Sequence, residues 1–145
     1  MQTRRKLRRA TALAVLMVLV SATFTVNATE EDQKRTARDI IQVLEAYAVY
    51  KMGQYDLAFE RYLVLAEKGN RQGMLNVANM YADGIGVKQN RHQAFEWHRR
   101  LAESGDCIGI EAVAEAYRQG NGVSQDPEKA ADWERLAARA ECSFL

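Results

Sequence analysis

Most of what this chain can fold into is decided by a repetition. The segment from Leu65 to Ala102, LAEKGNRQGMLNVANMYADGIGVKQNRHQAFEWHRRLA, returns 36 residues later, from Leu101 to Ala138, as LAESGDCIGIEAVAEAYRQGNGVSQDPEKAADWERLAA. The recurring positions are Gly69/Gly105, Gly73/Gly109, Val77-Ala78/Val113-Ala114, Tyr81/Tyr117, Gly84/Gly120, Gly86-Val87/Gly122-Val123, Ala94/Ala130, Trp97/Trp133 and Ala102/Ala138. A period of this length is one supersecondary unit that cannot bury its apolar face alone, so it must stack on its neighbours.

Within a unit, Gly73, Val77, Ala78 and Tyr81 fall at i, i+4, i+5 and i+8 and line one face of a first helix. Ala94, Trp97, Leu101 and Ala102 do the same for a second. Gly84 and Gly86 between them can hold the positive-φ conformations that end a helix and reverse the chain. The unit is therefore a helical hairpin. Its last copy also carries a start signal for the second helix: Asp126 as N-cap, Pro127 where a missing N–H costs nothing, and Glu128 in the first turn. Asn90 takes the capping position one repeat earlier.

The order Gly, small pair, Tyr, G-x-G-V, Ala, Trp closely resembles the Sel1-like repeat, a branch of the tetratricopeptide-like helical solenoids. The resemblance covers Gly69 to Ala138, about half the chain. Its usual Leu-Gly pair is replaced by Val77-Ala78 and Val113-Ala114, both still small and apolar. It implies an all-α fold, a short right-handed α-solenoid, and an adaptor or regulator role without chemistry. Upstream, Ile40, Ile41, Val43, Leu44, Tyr47 and Ala48 return at helical spacing, and YKMGQYDLA looks like an ordinary tetratricopeptide turn with Gly53 at the helix end. Ala58 stands 36 residues before Ala94. This predicts a first hairpin with a shorter loop, hence three antiparallel hairpins over about 37–68, 69–104 and 105–140, close to the minimum for a continuous core.

Residues 1–28 read as a targeting segment. Arg4, Arg5, Lys6, Arg8 and Arg9 precede an uncharged run from Ala10 to Val26, and Val26-Asn27-Ala28 fits a small-x-small cleavage site. The run of 17 residues is also the lower limit for a retained anchor. Either way the domain 29–145 is expected outside the cytoplasm, periplasmic or secreted, with membrane contact only if the segment is retained. The whole chain has formal charge +1, but the leader holds five of the 20 Lys+Arg and none of the 19 Asp+Glu. Residues 29–145 carry 15 against 19, a net −4, which argues against a nucleic-acid partner.

Cys107 falls at the start of the last hairpin's first helix and Cys142 just past the end of its second, ends that are neighbours in an antiparallel pair. In an oxidising compartment they can form a disulfide pinning the terminal repeat. The alternative is two free thiols, one a small core residue and one in the tail.

Candidates for catalysis are thin. His92 and His98, six apart, lie about 600° round a helix and cannot share a metal, so both read as surface residues. Glu111 and Glu115 at i, i+4 read as a solvated helix face, and the glycine loops are explained as hairpin turns and not phosphate cradles. Trp97 and Trp133, recurring at one repeat position, are expected to pack between neighbouring hairpins, and Tyr81 and Tyr117 to be core. No catalytic residue, metal or small-molecule cofactor is assigned. There remains the concave face made by the first helices, which in such solenoids takes an extended peptide or a partner helix. Its candidate residues are Tyr47, Tyr50 and Lys51, then Asn76, Asn79 and Asp83, then Glu111, Glu115 and Arg118. The expected function is a non-enzymatic adaptor binding an envelope protein or peptide. An envelope protein that binds or hydrolyses peptidoglycan or β-lactams is the second reading. A third docks the end hairpin on a longer solenoid through Ile108, Ile110, Phe144 and Leu145.

Overall fold

A computed structural model describes residues 30–142; the leader expected over 1–28 and the tail residues Phe144 and Leu145 lie outside them. The described elements are six helices: α1 (residues 30–51), α2 (Tyr55–Glu67), α3 (Arg71–Asp83), α4 (Arg91–Glu103), α5 (Cys107–Gln119) and α6 (Pro127–Arg139). The described residues up to Arg38 belong to a separate compact unit. That polar stretch is helical and exposed, with Lys34 paired to Glu30 at 2.8 Å. From Asp39 onward the chain is the expected all-α stack of hairpins, each helix from α2 packing on the next in sequence.

The caps explain where the helices begin. Asn90 and Asp126 accept from the backbone N–H groups of Gln93 and Lys129, at 3.1 and 3.0 Å. Asn70 and Asp106 do the same for α3 and α5: Asn70 accepts from Gly73, and Asp106 from Ile108 and Gly109. Each supplies a partner to a first-turn N–H that has none inside the helix. Asp106 also pairs with Arg71, which tethers one hairpin's start to the next. Gly84 and Gly120 end α3 and α5 in the left-handed conformation, φ 73° and 71°.

The repeat recurs in the packing. Gly73 lies directly against Leu65 and Ala66, and Gly109 against Leu101 and Ala102, so that each first helix seats on the second helix of the preceding hairpin. A Cβ at either glycine would collide with backbone. Edge-to-face pairs bridge the same joint: Phe59–Tyr81 with ring centroids 5.1 Å apart, and Phe95–Tyr117 at 5.4 Å. Ala58, Ala94 and Ala130 are all buried. One core joins Ala46, Val49, Tyr62, Leu65, Val77, Trp97 and Leu101; a second joins Phe95, Ala102, Ile110, Val113, Ala137 and Cys142.

Two expectations are corrected. Trp97 is buried, but Trp133 is only half-buried, because no described hairpin follows to cover it. Tyr81 and Tyr117 are likewise half-buried, flanking the core with their rings.

Candidate interaction groove

The first hairpin and α3 enclose a cavity of about 290 Å³ lined by Tyr47, Tyr50, Tyr62, Asn76, Asn79, Met80, Asp83 and Ile85. Five of the sequence-predicted residues, Tyr47, Tyr50, Asn76, Asn79 and Asp83, are thus brought together. Tyr62 forms its floor at 3% exposure, while Tyr47 stands at the rim at 52%. Burial, with Tyr47 and Tyr50 close by, pushes the Tyr62 phenol above its ordinary value, so it is a neutral hydroxyl at any physiological pH. Lys51 does not line the cavity; its ammonium sits over the Tyr47 ring, 6.0 Å from the centroid.

The same construction recurs one repeat on. A cavity of about 210 Å³ contains His98, Ala112, Glu115, Ala116 and Asn121, which stand 36 residues after Tyr62, Asn76, Asn79, Met80 and Ile85, together with Arg91 and Phe95. Beyond it, Glu111, Glu115, Arg118 and Glu134 surround a third cavity of about 540 Å³ floored by Ala114 and Ala137. Arg118 is held internally, paired with both Glu115 and Glu134. The candidate residues therefore divide between the first and third cavities, and Glu115 is shared by the last two.

Reasoning from first helices alone missed what the second helices contribute. Tyr62, His98 and Glu134 stand at one repeat position, share no residue type, and each line a cavity. The signal was the 36-residue spacing itself.

His98 is not the surface residue expected: it is half-buried between hairpins, and burial lowers its pKa below the usual histidine range. His92 is exposed, its Nδ1 3.1 Å from the Gly122 carbonyl oxygen. The His98 shift has a testable sign. The unfolded chain takes up the proton first, near pH ~6.5, so stability is lost as pH falls through that value and levels off below the folded pKa. The urea midpoint should fall between about pH 7.5 and 5.5, and His98→Gln should flatten part of that fall; an unchanged slope would assign it to other groups.

Ile110 is core at 1% exposure and cannot serve an end-docking face, whereas Ile108 is exposed. Cys107 and Cys142 are joined by a disulfide across the last hairpin, Cα–Cα 5.5 Å. Among the described residues no group of three or more His, Cys, Asp or Glu is placed to hold a metal ion.

Taken together, hairpins repeated at 36 residues and seated glycine against helix define a helical-repeat protein. Residues 71–106 and 109–142 match the Sel1 repeat family, and the chain is a Sel1-like repeat protein. Two solved structures share the fold: a Sel1 repeat protein from Oxalobacter formigenes, 29% identical over 67% of this chain with TM-score 0.60, and a protective antigen present in uropathogenic Escherichia coli strains that displays an SLR fold, 29% identical over 72% with TM-score 0.63. A stretch of 48 residues is 46% identical to an exopolysaccharide production negative regulator of Rhizobium leguminosarum bv. viciae, 33% of this chain. The chain spans 40% and 23% of the two solved structures and 18% of the Rhizobium protein. Sel1 repeats generally mediate protein–protein interaction.

Proposed function

We propose that this protein is a non-enzymatic adaptor or regulator of the bacterial periplasm or cell envelope, whose groove holds an extended segment of a partner protein. The observation that carries the reading is the recurrence of the groove: Tyr47, Asn79 and Glu115 occupy one position in successive hairpins, and Tyr62, His98 and Glu134 another, where the repeat holds its shape but not its residue types. Positions that a fold needs for packing keep their type, as Ala58, Ala94 and Ala130 do; Tyr47, Asn79 and Glu115 are not buried and are available for recognition, while Tyr62 and His98 shape the groove from beneath. The envelope setting is supported by the cationic, then apolar, first 28 residues and by the disulfide, a bond that persists in oxidising compartments. The regulator named in Rhizobium is consistent with a role exercised through a partner.

Affinity capture from envelope extract, using the chain beside a variant carrying Tyr47→Ala, Asn79→Ala and Glu115→Ala, tests this. The parent should retain a protein that the variant loses, while circular dichroism shows the variant folded. Equal capture by both would remove the groove from the interaction.

A further inference from the structure

Three tyrosines, two asparagines and one carboxylate line the first cavity, and no basic residue does. Such a set is poorly suited to an acidic ligand. The faces of tyrosine rings carry the negative side of the ring quadrupole and attract a cation placed over them. The chain already shows this preference in its own side chain, since Lys51 lies over Tyr47. Asp83 stands at the end of α3, exposed and lining the same cavity, and among the described residues no ion pair engages it. Asn76 and Asn79 each offer one carbonyl and one amide, the complement of an extended backbone. At the far end of the groove three glutamates, Glu111, Glu115 and Glu134, face a single arginine, Arg118. The middle cavity is closer to balance, with Arg91 and Glu115.

We infer that the groove's occupant is an extended basic segment of a partner protein, with a lysine or arginine side chain seated against Tyr47 and Tyr50 over the Tyr62 floor and capped by Asp83, its backbone running past Asn76 and Asn79 toward the glutamates of the last hairpin. This rests on the groove reading above and adds the chemistry of the partner. The rings take the aliphatic stem and the cation, and the Asp83 carboxylate supplies a charge-assisted hydrogen bond. Lys51 competes for the Tyr47 face and repels the incoming charge, so it acts as a brake on binding.

The test uses the full chain and three fluorescent peptides of about ten residues, identical except that alternate positions are lysine, glutamate or norleucine, with binding read by anisotropy. The lysine peptide should bind at least about tenfold more tightly than the glutamate peptide, and weaken as salt rises. Asp83→Asn, at an exposed position where folding is not at stake, should weaken the lysine peptide about five- to tenfold. Lys51→Ala should tighten it about two- to threefold. Preference for the glutamate or norleucine peptide, lost with the Tyr47/Asn79/Glu115 variant, would overturn the basic partner while leaving the groove in place. Lysine-peptide binding indifferent to that variant and to Asp83→Asn would overturn both, as would no binding of any of the three.

Discussion

Gly122→Ala should destabilise the protein by about 2–4 kcal/mol, several times more than the same change at Gly105. Gly105 has φ 83° with nothing within 4 Å of where a Cβ would stand. An alanine there meets only the strain of the left-handed region, about 1 kcal/mol. Gly122 has φ 76° and in addition lies against the carbonyl group of Arg91, the first residue of the preceding hairpin's second helix. Gly86 makes the same approach to Tyr55 one repeat earlier. The second glycine of G-x-G-V is therefore a joint between repeats as well as a turn. A methyl group inserted there must push the loop and α4 apart, an overpacking cost of about 1–3 kcal/mol added to the strain. Gly109→Ala completes the comparison, since its backbone is helical and only the collision with Ala102 and Leu101 remains. Urea denaturation of the three variants separates the contributions. Equal losses for Gly122→Ala and Gly105→Ala would mean that the loop does not bear on the neighbouring hairpin.

The glycines were legible in the sequence because they recur, but only their turn conformation could be read. Close approach between Gly122 and Arg91 is a relation across 31 positions that periodicity within one helix does not contain. His98 could have been read from α4 itself. It stands one turn after Ala94 and one turn before Leu101 and Ala102, within their buried stripe, so the helical period alone argues for partial burial; α5 of the next hairpin completes the cover, with Ala112 and Ala116 lining the same cavity. Tyr62 and Glu134 escaped for a different reason. Comparing repeats finds sameness, and Tyr, His and Glu at one position look like noise, although in a groove variation is what recognition requires. The first hairpin was legible from Ala58 onward, but its first helix keeps a different register: Ala46 stands 32 residues before Ala78, and both are fully buried. The three residues between α1 and α2, against seven between α3 and α4, account for the difference. In that register Ile41 takes the place of Gly73, and it is 55% exposed, so α1 makes no close glycine seat of the kind used at the two later joints. The caps Asn70 and Asp106 could have been read as Asn90 was, since each directly follows a recurring glycine.

Reducing the Cys107–Cys142 bond should lower stability by about 3–4 kcal/mol and the melting temperature by on the order of 15 °C. The bond closes a loop of sequence separation 35, and most of that figure is the conformational freedom returned to the unfolded chain. Its position makes the effect local. In a stack where helices pack chiefly on their neighbours in sequence, an inner hairpin is held from both sides and, among the described residues, the last hairpin from one. The last hairpin shows that difference: Trp133 and Leu136 stay partly or largely exposed, while Trp97 is buried. Glu141, φ 53°, occupies the left-handed turn that Gly69 and Gly105 fill earlier, a conformation that costs a glutamate more than a glycine. Cys142 follows it, donates its backbone N–H to the Ala137 carbonyl and is buried beside Ile110 and Val113, so the bond fastens an end that packing and backbone preference hold less firmly. Hydrogen exchange before and after reduction should show protection lost first in α5 and α6, with α3 and α4 retained until the repeat unit as a whole opens. The Cys107→Ala/Cys142→Ala variant should behave like the reduced protein, which separates the bond from any effect of the reductant. If thiol labelling shows both cysteines reduced and neither melting temperature nor protection changes, the terminal hairpin is held by packing alone, and the groove formed by Glu111, Glu115 and Glu134 owes nothing to the disulfide.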